Sequence, residues 1–201
     1  MHSILARRHL SNLTAPSCRQ NSFVSLQLSN CRDYRIQVLV AINGNIPMTR
    51  EVDERYMRLA IEKTYEGIEA GQAPFGACLV RNGEILATVH NTVAREGDIT
   101  RHAEIDAVRA SCQKLGSIDL SGSVLYATAT PCAMCFTSAE MAGINRVVIG
   151  VGPEDFRAYF PSSSRTPTFR TPLGTTENGI EIIIGVLREE CLALFKAWAE
   201  R

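Results

Sequence analysis

Residues 123–135 read Ser123-Val124-Leu125-Tyr126-Ala127-Thr128-Ala129-Thr130-Pro131-Cys132-Ala133-Met134-Cys135. The first seven positions, apolar and β-prone, predict a buried strand. Pro131 and Cys132 then open a helix that ends near Gly143. At i and i+3, Cys132 and Cys135 share one helix face, so both sulfurs can reach one metal ion. The positive end of the helix dipole and its free N–H groups favour thiolate over thiol. Taken alone, the pair has three readings: metal ligands, a redox couple, or packed thiols.

The same alternation of helix and strand extends outward in both directions. Upstream, a helix is predicted from a Thr49 cap to a Gly71 stop, with Glu51, Asp53 and Glu54 at its positive end. Its expected inner face carries Val52, Tyr56, Leu59, Ala60, Lys63 and Gly67, flanked by Met57, Ile61 and Ile68. Segments 75–81 and 84–90 read as strands joined by Asn82-Gly83, a hairpin link in which both positions need positive φ. After a polar loop at 91–98, a helix is expected over 100–115, with Ile105, Val108, Cys112 and Leu115 as its apolar stripe. Downstream, 146–151 and 181–187 read as further strands. A helical turn is expected at 154–160 and a last amphipathic helix at 188–201. Helices alternating with short apolar strands imply an α/β sandwich.

The 201 residues suffice for one domain with a substantial core plus a tail, and 45% hydrophobic with 21% charged is globular composition. Five of the 21 basic residues but one of the 21 acidic ones lie in 1–47, leaving 16 against 20 in 48–201. The body at 48–201 is thus mildly acidic, which disfavours electrostatic capture of nucleic acid. Residues 1–47 are expected to be an N-terminal extension, either disordered or an organelle transit peptide, with 36–42 as a short strand. Seven scattered cysteines without a secretory pattern suit a reducing compartment, the cytoplasm foremost or an organelle if 1–47 is a transit peptide. No apolar run approaches the roughly 18–20 residues of a membrane span. The Pro/Ser/Thr-rich 161–176 segment is expected to be a functional or mobile loop.

A second stretch, Arg101-His102-Ala103-Glu104, opens the predicted 100–115 helix. His102 with Cys132 and Cys135 would give one nitrogen and two sulfurs, and a fourth position left for water marks a catalytic rather than a structural zinc site. Cys112, ten residues along the same helix, lies roughly 15 Å from that end and cannot close the site. Cys78 and Cys191 read as packed thiols. Zinc lowers the pKa of a bound water towards ~7. Glu104 would take that water's proton and later protonate the departing amine.

His102-Ala103-Glu104 followed by Pro131-Cys132-Ala133-Met134-Cys135 matches the H-x-E…P-C-x-x-C signature of zinc deaminases. From about residue 50 to its end the chain resembles the cytidine deaminase-like superfamily. The similarity is greatest to its nucleobase branch of guanine deaminases, tRNA adenosine deaminases and yeast-type cytosine deaminases. The resemblance implies a three-layer α/β/α sandwich with a five-stranded mixed sheet, a Zn2+ cofactor, and at least a homodimer.

Within the branch, Ala73-Pro74-Phe75-Gly76-Ala77 and Asp98-Ile99-Thr100-Arg101-His102-Ala103-Glu104 resemble guanine deaminase segments. By that resemblance Phe75, Asn91, Asp155 and the backbone N–H of Ala103 contact the base. An aromatic lid from Phe195 and Trp198 is the family's arrangement, with core packing as the alternative. Thr130 stands where guanine and tRNA deaminases carry Glu, and Phe136-Thr137-Ser138-Ala139-Glu140 lacks their usual Gly-Ala. The expected activity is hydrolytic deamination of a nucleobase or nucleoside, a guanine-type purine first. The alternatives are tRNA adenosine or cytosine as substrate, a non-catalytic zinc-stabilised binding module, and a thiol redox protein.

Overall fold

The computed structural model describes residues 49–159 and 179–201. In chain order these form α1 (Arg50–Glu69), β1 (Gly76–Arg81), β2 (Glu84–His90), α2 (Val93–Glu96), α3 (Ala103–Leu115), β3 (Ser123–Ala129), α4 (Ala133–Met141), β4 (Arg146–Val151), α5 (Pro153–Tyr159), β5 (Glu181–Ile184) and α6 (Arg188–Ala199). The expectations for 1–47 and 161–176 fall outside the described residues.

The five strands make one mixed sheet in the order β2-β1-β3-β4-β5. β1 is antiparallel to both β2 and β3, while β3, β4 and β5 are mutually parallel. Asn82 and Gly83 turn the β1–β2 hairpin at φ 51 and 80, as their sequence required. β5 is shorter than the expected 181–187. Gly185 (φ 90) and Leu187 (φ 51) leave the extended region, and the N–H groups of Gly185 and Val186 both donate to the Ile149 carbonyl. None of its residues is fully buried, as befits an edge strand.

Two cores flank the sheet. On one face Tyr56, Met57 and Ile61 of α1 and Cys191, Leu194 and Phe195 of α6 pack on Cys78, Tyr126 and Val148. On the other, Ala103 and Ala107 of α3 and Ala139 of α4 pack on Ala77, Leu79, Leu125 and Val147. The result is the expected α/β/α sandwich. Thr49 caps α1 by accepting from the Val52 N–H, and Gly71 (φ 74) ends it. The face that α1 buries is Asp53, Tyr56, Met57, Ala60, Ile61, Thr64, Gly67 and Ile68. Lys63, expected on that face, instead pairs with Glu66 at the surface. At Gly76 a Cβ would lie 2.6 Å from the Ala60 carbonyl, so α1 backbone presses directly on the start of β1.

α3 corrects the expected stripe. Its buried residues are Ala103, Glu104, Asp106, Ala107 and Ser111, whereas Ile105, Val108 and Cys112 are half-buried and Leu115 is exposed. Small side chains let the helix approach the sheet closely, which turns the bulkier row sideways. Ile105, Val108 and Cys112 line an open groove of about 630 Å³ with Ile118 and with Met134 and Met141 of α4.

The end of the sheet away from the ends of β3 and β4 is tied by charge. Asp53 of α1, 3% exposed, accepts from both terminal nitrogens of Arg146 (2.8 and 2.9 Å) and from the Tyr126 hydroxyl (3.0 Å). Arg146 Nε reaches Glu181 of β5 at 2.7 Å. Burial first, and then the Asp53 carboxylate, hold the Tyr126 phenol well above its ordinary pKa, so it stays a donor.

Candidate active site

Every stretch singled out around the two motifs reaches one end of the sheet. Parallel pairing puts the ends of β3 and β4 side by side, where the N–H and hydroxyl of Thr130 both donate to the Val151 carbonyl (3.0 Å each). Because β1 runs antiparallel to β3, its first residue lies at that same end. Gly76 N–H donates to the Thr128 hydroxyl (3.0 Å), which donates in turn to the Gly76 carbonyl (3.3 Å). β2 finishes there too, with His90 opposite Gly76 and the Asn91 N–H donating to the Phe75 carbonyl at 2.9 Å. α3 and α4 begin at this end with His102 and Cys132 as their N-caps, one position earlier than the first turn.

His102 Nδ1, Cys132 Sγ and Cys135 Sγ form a triangle with sides of 3.7, 3.5 and 3.5 Å. Tetrahedral zinc with Zn–S of ~2.3 Å and Zn–N of ~2.0–2.1 Å needs ligand separations of roughly 3.5–3.8 Å. The donor set therefore fits zinc in both chemistry and spacing, and among the described residues it is the group that can hold a metal. Cys135 and the site-facing Cys132 hydrogen-bond each other. That contact first, and then His102, lower the Cys132 thiol to about 4 against the opposing effect of burial. The same contact and burial push Cys135 far up, since two sulfurs at 3.5 Å cannot both ionise without a cation between them. Cys78 and Cys191, driven up to about 11 and about 12 by burial, are inert packed thiols.

Glu104, in the first turn of α3, is 8% exposed, and its Oε2 lies 3.5 Å from Cys135 Sγ. Burial raises its pKa, with Cys132 adding to the rise, while backbone N–H donation and His102 oppose it. Ala103 is fully buried at the first helical position, where a backbone N–H has no intrahelical acceptor. Asn91 is 5% exposed; its Oδ1 accepts from the Val93 N–H (3.1 Å), which holds the carboxamide in one orientation. Phe75 meets Phe156 at a tilt and Phe195 edge-on, with ring centroids 6.0 Å apart in each pair. Phe195 also meets Tyr159 and is 1% exposed, so it packs as core beneath Phe75, while Trp198 is 38% exposed.

Asp155, on α5, has its carboxylate held by both Nε (2.8 Å) and a terminal nitrogen (2.6 Å) of Arg188. This partner lowers its pKa. Arg188 and the Thr92–Arg101–Asp106 cluster escaped the sequence reading. Asp106 carries a faint signal, standing one helical turn after His102; Arg188, 33 positions from its partner, carries none.

Comparison with known proteins adds the family. A model of the cytidine and deoxycytidylate deaminase zinc-binding region matches residues 50–151. The tRNA-specific adenosine deaminase of Bacillus subtilis (strain 168) is 34% identical over 148 residues, spanning 73% of this chain and 88% of that protein. The guanine deaminase of the same organism is 40% identical over 83 residues, which is 41% of this chain and 53% of that one. Among solved structures, guanine deaminase from Nitrosomonas europaea superposes with a TM-score of 0.67 at 27% identity, covering 74% of this chain and 85% of that chain. The chain belongs to the zinc-binding cytidine and deoxycytidylate deaminase family of hydrolytic nucleobase and nucleoside deaminases.

Proposed function

We propose that this enzyme removes the exocyclic amine of a guanine-type purine, with His102, Cys132 and Cys135 holding zinc and Glu104 moving protons. The observation that carries the reading is the convergence of Glu104, the ligand triangle, Asn91 and Phe75 at one sheet end. Zinc, when bound, supplies a Lewis acid that makes water nucleophilic near neutral pH. Water adds at the amine-bearing ring carbon while Glu104 accepts its proton. The carboxyl passes that proton to a ring nitrogen. The carboxylate then takes the second proton from the newly added hydroxyl and delivers it to the amine, so that the C–N bond breaks, ammonia leaves and the carbon is left as a carbonyl. Asn91, fixed through Oδ1, is left to donate from Nδ2, and the Ala103 N–H donates to the base. The superposition on a guanine deaminase supports the purine assignment.

A second reading, adenosine within tRNA, draws on two observations. One is the tRNA deaminase relative, matched over 88% of its length. The other is a cleft of about 340 Å³ beside Arg101 that is lined by Lys63, His90, Arg95 and Arg109 as well as Asp106. One experiment separates the readings: ammonia release from guanine, guanosine, adenine, cytosine and isocytosine, alongside inosine formation in tRNA at low and high salt. Turnover of guanine is the expected result. Inosine formation that collapses as salt rises would favour the tRNA reading instead.

The α3–α4 groove suits a second copy of the chain. No Asp, Glu, Lys or Arg lines it, and Ile118 and Met141 beside it are 84% and 83% exposed. A two-fold contact would cover both copies of this neutral face at once. Sedimentation equilibrium should give a dimer, and Met141→Glu should yield monomer at the same concentration. Wild-type monomer at ~100-fold the working concentration would end the idea.

A further inference from the structure

Between β2 and α3 the chain makes a ten-residue excursion whose neck is pinned where it matters. Asn91 lies just before the neck and His102 just after it. At the neck the Thr92 N–H donates to the Arg101 carbonyl at 3.0 Å. A second, side-chain layer reinforces this closure. Arg101 Nε donates to the Thr92 hydroxyl (3.4 Å), and that hydroxyl donates to Asp106 Oδ2 (3.3 Å). Arg101 Nε also lies 3.3 Å from the same carboxylate oxygen, and Arg109 donates to the other. Asp106 is 8% exposed and belongs to α3, where its own N–H bonds the His102 carbonyl (2.9 Å).

We infer that Asp106 is a positioning residue that fixes Asn91 relative to the metal ligand His102. The inference rests on the proposed role of Asn91 at the base. A buried carboxylate with donors from both sides of the neck and from its own helix is costly to house unless those donors stay in place. It therefore holds the neck closed. The flanking backbone bond alone is a single contact between two strands of loop, and loops without such closure sample many conformations. Asp106 touches neither zinc nor base in this scheme; it acts through Thr92 and Arg101 on their neighbours.

The test is a double-mutant cycle in the full-length zinc enzyme, using whichever base the wild type deaminates. Asp106→Asn keeps the shape but puts an amide donor against other donors. It should raise KM about tenfold, the size of one lost hydrogen bond, with kcat changed less than threefold. In an Asn91→Ala background the same substitution should cost less than threefold, because the group it positions is gone. Thr92→Val, which removes one hydroxyl, should act in the same direction with a smaller effect, and it serves if Asp106→Asn does not fold. Replacing zinc with cobalt gives a readout free of substrate: the visible band of Asp106→Asn should differ from that of the parent protein. Equal losses in the two backgrounds, or a cobalt spectrum identical to the parent's, overturns the inference. If no base is turned over by the wild type, the functional reading fails, while the cobalt comparison still decides this one.

Discussion

Glu104→Gln should lose about 10²–10⁴-fold in kcat, the usual worth of a positioned acid–base group, while its zinc content stays that of the parent. The amide fills the same buried space but cannot accept a proton, so the metal triangle of His102, Cys132 and Cys135 is left intact. Metal analysis and steady-state ammonia release on one preparation check both halves. Turnover near the parental rate would remove Glu104 from the chemistry, and lost zinc would make it a structural partner of Cys135 instead. The pH profile carries the same argument further. Glu104 must be ionised to take the proton of water, and burial holds its pKa above the ordinary Glu value of ~4.3. Activity should therefore be present above that raised pKa and fall as pH drops through it. A kcat/KM flat down to pH ~4 would contradict the assignment.

The second large effect lies at the other end of the sheet. Asp53→Ala should destabilise the protein by about 3–5 kcal/mol, because it leaves the Arg146 guanidinium buried without its bidentate partner. Arg146 is 9% exposed, and its remaining partner, Glu181, is on the edge strand with a side chain 53% exposed. Tyr126 would lose its acceptor as well. For a domain of this size the loss corresponds to a fall in Tm on the order of 10 °C. Glu181→Ala, which removes only the exposed half of the network, should cost less than about 1 kcal/mol. Urea and thermal unfolding of the two variants side by side would test this contrast; similar losses would mean that the buried pair has no special weight.

The parts of this molecule that were legible in its sequence are those where one residue type answers one local demand. Asn82-Gly83 turns the hairpin because both positions take positive φ, and Thr49 and Gly71 bound α1 by cap chemistry. The metal triangle was legible because thiolates one helical turn apart need a third donor, and His102 opens the neighbouring helix. What stayed hidden depends on packing or on pairs distant in sequence. On α3, periodicity pointed to Ile105, Val108 and Cys112 as the inner face, yet Ala103, Ala107 and Ser111 took it because small side chains allow a closer approach to the sheet. Hydrophobicity alone does not tell a row facing the core from one facing an open groove. The Asp155–Arg188 pair and the basic cleft join residues from separate elements and leave no local pattern. The overall charge of the chain, being a sum, concealed the cleft.

Strands β3 and β4 run from the Asp53–Arg146 anchor to the Thr130–Val151 junction beside the metal triangle, so the anchor and the site sit at opposite ends of the same rods. Six or seven residues at ~3.3 Å each put roughly 20 Å between them. Changes at such a separation tend to add independently. The usual bargain, in which a hardier enzyme is a slower one, is therefore relaxed here. Directed evolution for robustness can work at the anchor end and leave selection for a new substrate to the other.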